Sequence, residues 1–256
     1  MPFLKVAGRS LAYAWIRRRR NSRAVLVFLH EGLGSIGQWR DFPAKLAAAT
    51  GCHALVYDRY GHGRSDVLAE PRRAVRFMHD EGLVSLPALL DRLAVRNPIL
   101  VGHSDGASIA LIHAGAGHAV RGVVAMAPHV FIEDRCLSAI EEAAQRFEST
   151  DLAARLARRH RDARRTFYGW ADVWLDPEFR RWDIRADYLG GVRCPVLAIQ
   201  GYDDAYGTMA QLEELRRCAW GPCTLVRLRD CSHHPFREQP GKVLLGVSAF
   251  IRELLS

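Results

Sequence analysis

The sequence predicts an α/β fold: a mostly parallel central sheet flanked by helices on both faces, with an inserted helical segment. Three observations carry this. Short continuous apolar runs alternate with helix-like segments through most of the 256 residues. Runs such as "AVLVFLH" and "NPILV" lack the apolar–polar alternation of a half-exposed strand, so they read as strands buried on both faces. One stretch, 131–190, holds no such run and is instead helix-like, rich in Arg and Trp. Strands alternating with helices build a parallel sheet covered on both sides. The predicted organisation is a core from 1–130 and 191–256, with a helical cap inserted at 131–190.

In chain order, 3–17 reads as two short strands around a turn at "AGR", and 24–30 as the first buried strand. "QWRDFPAKLAAAT" reads as a helix ended by Gly51, because glycine takes the left-handed conformation that closes a helix. A strand at 53–58, a loop "GHGRSD" and a helix-like stretch over 74–94 follow. Then come a strand at 97–102, a small-residue helix "DGASIALIHAGAG" and a strand at 120–128. Beyond the insertion, strands at 194–201 and 223–228 and helices near 208–218 and 240–255 complete the pattern. The sequence shows no internal repeat and no low-complexity linker.

Composition narrows the function. The net charge is +8, and only Lys5, Lys45 and Lys242 are lysines. The arginines are scattered, often beside acids, without the basic–aromatic interleaving of a nucleic-acid surface, so no nucleic-acid partner is expected. The exception is "ARLARRHRDARR" at 154–165, which reads either as a solvated helix face or as a patch steering carboxylate- or coenzyme-A-bearing substrates. Six cysteines form no CxxC pair and no zinc-like Cys/His spacing, so no metal is expected; Cys218 and Cys223 are close enough in sequence for a bridge to be conceivable. No stretch approaches the roughly 20 apolar residues of a membrane helix. With no secretory leader pattern in its first residues, the chain is expected to be cytoplasmic, a monomer or homodimer with no membrane partner.

The chemistry is signalled at "VGHSDG", 101–106, where Gly-x-Ser-x-Gly joins a strand to a helix. In this context the motif makes a sharp turn that lifts the serine to the end of the sheet. The backbone N–H of Asp105 then stands at a helix N-terminus, where developing negative charge is stabilised. Serine needs a base, and in this arrangement the chain order is Ser, then acid, then His. Asp203 and Asp204 follow the strand "CPVLAIQG", and His233 and His234 lie in the loop after "CTLVRL". The residue pattern alone leaves both pairs open. A second oxyanion donor is expected from the loop after an early strand, which here is "FLHEGLGS".

Taken together, "LVFLHEGLGS", "YDRYGHGRSD", "VGHSDG", "IQGYDD" and "CSHHPFREQP" resemble the α/β-hydrolase superfamily, in the branch of capped serine esterases, C–C hydrolases and proline-iminopeptidase-like enzymes. The resemblance covers nearly all of the chain and is least clear in the insertion. It implies an α/β-hydrolase fold with Ser104 as nucleophile, Asp204 as acid, His233 as base and oxyanion donors on Gly32 and Asp105. It also implies hydrolysis of a small-molecule carboxylic ester or related acyl bond through an acyl-enzyme, without a cofactor. C–C bonds, thioesters and lactones are cleaved by the same triad, and non-hydrolytic lyases, isomerases or binding proteins use the same scaffold. A serine at this place sets the chain apart from the dehalogenase and epoxide-hydrolase branches, which use an aspartate. Two positions depart from the family pattern: Glu31 stands where glycine is usual, and Asp105 where the residue is often bulky and apolar. Glu31 is read as solvent-facing or as biasing against anionic substrates, and the Asp105 side chain as a helix cap.

Leu33, Trp39, His129 and Trp170 are the candidate substrate-binding residues, since they follow strand ends or lie in the aromatic insertion. His30 and His103 are read as structural, bonding loop backbone, and Asp58 and Arg59 as an ion pair holding a turn.

Overall fold

In the computed structural model, residues 1–16 and 24–256 are described. Arg17, the last residue of the second predicted strand, lies outside them. Eight strands form one sheet among the described residues: β1 (Phe3–Val6), β2 (Arg9–Ile16), β3 (Val25–Leu29), β4 (His53–Tyr57), β5 (Ile99–His103), β6 (Gly122–Met126), β7 (Val196–Gly201) and β8 (Cys223–Leu228). Their order is β1-β2-β4-β3-β5-β6-β7-β8. β1 and β2 pair antiparallel, β2 joins β4 antiparallel, and every pairing from β4 through β8 is parallel.

The continuous apolar runs have a direct physical cause. Successive side chains of a strand point to opposite faces, and here both faces are covered. Val27, Leu29, Leu55, Leu100, Val123 and Ala125 belong to one buried cluster. Their neighbours Leu26, Phe28, Val56, Val101, Val124 and Met126 belong to the other.

The helices are α1 (Phe42–Thr50), α2 (Phe77–Asp80), α3 (Leu86–Arg92), α4 (Asp105–Gly115), α5 (Asp134–Ser149), α6 (Leu152–Ala157), α7 (Ala163–Trp174), α8 (Ala210–Cys218), α9 (Pro235–Glu238) and α10 (Pro240–Leu254). Two differ from expectation. The helix predicted from "QWRDFPAKLAAAT" divides: Ile36–Trp39 makes a separate 3-10 turn, and Arg40 takes φ 53°, which a right-handed helix does not pass through. The helix over 74–94 is interrupted by a π-helical turn at Glu81–Ser85 that runs into Pro87, which has no N–H to donate. Gly82 lets that turn pack against α4, where a Cβ would lie 3.1 Å from the Ile109 carbonyl oxygen.

Between β6 and β7 the chain runs through α5, α6 and α7, with one isolated bridge between Phe131 and Asp183 among the described residues. Its aromatic residues pack on one another: Phe147 stacks on Phe167 at 4.1 Å between ring centroids, and Trp174 and Trp182 both contact Phe179. No helix among the described residues is long and apolar enough to cross a membrane.

Candidate active site

The loops after β3, β5, β7 and β8 leave the same edge of the sheet, the carboxyl ends of parallel strands, where open α/β sheets place ligands. Ser104 sits between β5 and α4 at φ 52°, ψ −122°. A positive φ is strained for a residue with a Cβ, and such strain concentrates at functional turns. The flanking glycines are there for space. A Cβ on Gly106 would stand 2.0 Å from the Leu29 carbonyl oxygen, and one on Gly102 would stand 2.4 Å from the Gly106 oxygen. The elbow therefore packs backbone on backbone. Its conformation is held by the Ser104 N–H, which donates to the Met126 oxygen at 2.9 Å.

The acid and the base meet through the loops after β7 and β8. His233 Nδ1 lies 2.9 Å from Asp204 Oδ1 and 2.8 Å from Oδ2. Asp204 is fully buried and also accepts from Gln200 Nε2 and the Tyr206 N–H, each at 2.8 Å. A Cβ on Gly201 would lie 2.0 Å from the Cys231 oxygen, so only glycine lets the two loops close. Asp203 bonds this loop through its backbone N–H, and its side chain is exposed. His234 turns away from Asp204, towards Glu31 and His103. Burial works against a charged imidazole at His233, but the Asp204 carboxylate, by charge and hydrogen bond, lifts its pKa above the ordinary histidine value. Burial likewise opposes the Asp204 carboxylate, and His233 overcomes it, holding that carboxyl below its usual range.

Ser104 and His233 line one cavity of about 190 Å³. Gly32, Leu33, Asp105, His129 and Trp170 line it as well. Asp105 is the first residue of α4, so its N–H is one of the four that have no partner within a helix. Trp170 lies against Gly32: a Cβ there would be 2.2 Å from its Nε1. His129 is buried beside Trp174, and burial, helped by the charge of His233, pushes its pKa down to about 3. It is a neutral wall of the cavity.

Trp39 is a correction. It does not line the cavity; it is buried in an aromatic cluster with Phe28, Phe42 and Phe236. The 3-10 turn that carries it rotates the indole under the sheet, towards the α1 and α10 side. The Asp105 side chain also differs from expectation. It caps no helix; its Oδ2 lies 3.8 Å from Arg59 Nη2, and neither carboxylate oxygen has a hydrogen bond. Asp58 and Arg59 do not pair with each other. Asp58 accepts from the N–H groups of Ile36 and Arg64, while Arg59 donates to the carbonyls of His30 and Glu31. His30 and His103 do bond backbone, at the Arg59 N–H and Glu31 oxygen and at the His233 oxygen.

Glu31 is buried, at 7% exposure, and faces His103 and Arg237 rather than solvent. Burial opposes its charge, but His103, His234 and Arg237 together hold its carboxyl well below the usual range. Glu31, His103 and His234 offer one potential metal-ligating atom each, within 4.8 Å of one another. Arg237 Nη2, 3.7 Å from Glu31 Oε1, already supplies a positive charge there. The group is therefore read as a charge network. It extends to the loop that carries His233, because His103 Nε2 donates to the His233 oxygen at 2.6 Å.

Sequence reasoning missed most of the apolar side of the cavity: Cys136, Ile140, Leu152 and Leu156 join the insertion aromatic Trp174 there. Their spacing on α5 and α6, four residues apart in each pair, is the stripe of an amphipathic helix. That stripe marks a buried face without saying what it faces.

The wider comparisons agree with this architecture. A sequence profile described as the Alpha/beta hydrolase family matches residues 26–246. A proline iminopeptidase of Lactobacillus crispatus is 31% identical over 113 residues, 44% of this chain; the chain thus spans 36% of that relative's length. Among solved structures, the enol-lactonase of Burkholderia xenovorans superposes with a TM-score of 0.76 at 20% identity, over 98% of this chain and 99% of that one. The proline iminopeptidase of Mycobacterium smegmatis gives 0.75 at 16% identity, over 99% and 98%. A thermophilic esterase from Thermogutta terrifontis gives 0.75 at 17%, over the whole of both chains. At these identities the structural likeness establishes the shared fold, and the profile establishes the lineage. The chain belongs to the alpha/beta hydrolase family.

Proposed function

We propose that this protein is a serine hydrolase that cleaves a small-molecule carboxylic ester or closely related acyl bond. One observation carries the reading: a serine on a strained, glycine-flanked turn and a histidine clamped by a buried aspartate line the same cavity. In the proposed reaction, His233 takes the Ser104 proton through Nε2 as Oγ attacks the acyl carbon. Asp204 fixes the tautomer and stabilises the imidazolium that forms. The N–H groups of Gly32 and Asp105 receive the oxyanion. His233 then protonates the leaving group, and a water that it activates releases the acid and restores Ser104.

The segment 131–190 acts in this reading as a cap. Its support is that Trp170 covers Gly32, and that α5, α6 and α7 supply the apolar side of the cavity. A cavity of about 190 Å³ with such a lining suits a compact apolar acyl group.

The test is intact-mass spectrometry after treatment with a small fluorophosphonate. Wild type is expected to gain one adduct, Ser104→Ala none, and His233→Ala one that forms far more slowly. A well-folded wild type that gains no adduct overturns the reading.

A further inference from the structure

Beside the Ser104 cavity lies a second, larger cleft of about 650 Å³. Four arginines line it: Arg64, Arg155, Arg158 and Arg159. Among the described residues, Asp58 is the one carboxylate in its wall, and its oxygens are taken by the N–H groups of Ile36, at 2.6 Å, and Arg64, at 2.9 Å. Arg155 has an exposed partner, Asp151, at 3.4 Å, a pairing of little energetic weight. Among the described residues, the side chains of Arg64 and Arg158 have no ion-pair partner. Four guanidinium groups against the one buried carboxylate of Asp58 leave the wall of the cleft with an excess of positive charge.

Cleft and cavity are built on the same two segments, with different residues of each facing the two spaces. α6 turns Leu152 and Leu156 into the Ser104 cavity, while Arg155 and the two arginines that follow the helix line the cleft. On the opposite wall, Ser35, Ile36 and Gly37 face the cleft and Gln38 faces the cavity. Arg159 ties the two walls by donating to the Gly37 oxygen at 2.9 Å. A ligand reaching from the cleft to Ser104 would place its anionic end among the arginines and its apolar end in the cavity. The cleft volume is in the range of small-molecule and cofactor sites, and guanidinium groups match phosphate oxygens in geometry.

We propose that this cleft binds the phosphorylated part of the leaving group, so that the substrate is an acyl thioester of a thiol bearing a nucleotide diphosphate, the chemistry of an acyl-coenzyme A. This rests on the hydrolase reading above. The acyl carbon bonds to Ser104 Oγ as its C–S bond breaks. The serine proton passes through His233 to the departing sulfur. Water then cleaves the acyl-enzyme, giving the carboxylic acid and the free thiol with no oxidant or reductant.

The experiment compares butyryl-coenzyme A with the butyryl thioester of N-acetylcysteamine, which has the same reacting bond and no phosphate. Alongside it, ADP, pyrophosphate and inorganic phosphate are titrated calorimetrically against the whole chain. Wild type is expected to favour butyryl-coenzyme A in kcat/KM by about tenfold or more, through KM, with the preference falling as salt rises. R64A/R158A is expected to lose that preference and ADP binding, yet hydrolyse the N-acetylcysteamine thioester as wild type does. ADP binding stronger than that of phosphate identifies the nucleotide diphosphate as the group held. Equal kcat/KM for the two thioesters, or no ADP binding by wild type, overturns the proposal. Because the ADP titration needs no turnover, it decides on the cleft even if Ser104 forms no fluorophosphonate adduct, which would defeat the hydrolase reading instead.

Discussion

Both carboxylate oxygens of Asp204 lie within 2.9 Å of His233 Nδ1. This contact sets the charge, orientation and tautomer of the histidine in one step. Asp204→Asn keeps the shape and removes the charge. It is expected to lower kcat by about 10³- to 10⁴-fold, as the loss of the correct tautomer does in such triads. A pH profile checks the electrostatics. In the proposed reaction His233 acts as base only when neutral, and its pKa is raised, so the acid limb of wild-type kcat/KM should lie above the ordinary histidine pKa of 6.5. In Asp204→Asn the residual activity should have its acid limb at lower pH. An unmoved limb would show that another group titrates.

The strain at Ser104 predicts a trade between stability and activity. Alanine at 104 keeps the positive φ and its cost, whereas glycine adopts it freely. Ser104→Gly and Ser104→Ala are both expected to be inactive. By denaturant unfolding, Ser104→Gly should be the more stable by about 1 kcal/mol or more.

Gly106 is a packing requirement. Its Cβ position lies 2.0 Å from a backbone oxygen of β3, which has no rotamer by which to retreat. Gly106→Ala is expected to cost about 3 kcal/mol of stability or more, at the upper end of overpacking effects. Gly246 has open space at its Cβ position, so Gly246→Ala in α10 is the matched control and should be neutral or slightly stabilising.

Arg59 joins the two sides of the proposed oxyanion site. It donates to the His30 and Glu31 carbonyls just before Gly32, at 3.3 and 2.9 Å, and faces the carboxylate of Asp105 at 3.8 Å. Arg59→Met leaves a buried carboxylate without its nearest cation and should destabilise by about 3 kcal/mol or more. Adding Asp105→Leu should recover part of that loss, because the uncompensated charge then disappears. A thermal or urea double-mutant cycle measures the coupling; strict additivity would mean that the pair does not interact.

Most of the fold was legible from the chain because burial on both faces of a parallel sheet leaves an unmistakable apolar run. Five strands, β3 to β7, fall on such runs, β1 and β2 on the "AGR" hairpin, and β8 on the partly exposed edge segment "CTLVRL", all within a few residues. The helix limits were less legible. Arg40 and the turn before Pro87 break helical patterns by backbone conformation, which side-chain periodicity does not record. At the site, Ser104 was marked by its glycines, but the choice of Asp204 and His233 over their neighbours needed the family resemblance. Trp39 shows the limit of arguing from position alone. A residue just past a strand end can face either layer, and the rotation of a single 3-10 turn decided for the lower one.

The sequence by itself determined the class of fold, the strand–turn–helix seat of Ser104 and the presence of an acid and a histidine in the order that the chemistry needs. These are local properties, written in periodicity and in glycine spacing. Only the tertiary structure decided which carboxylate reaches His233, that Glu31 turns inward to His103 and Arg237, and that four arginines gather in one cleft beside the cavity. Those relations join residues as far apart as Arg64 and Arg159, or Glu31 and Arg237, and depend on the angles at which loops leave the sheet. Contacts of that range are set by packing, which no single segment of the chain encodes.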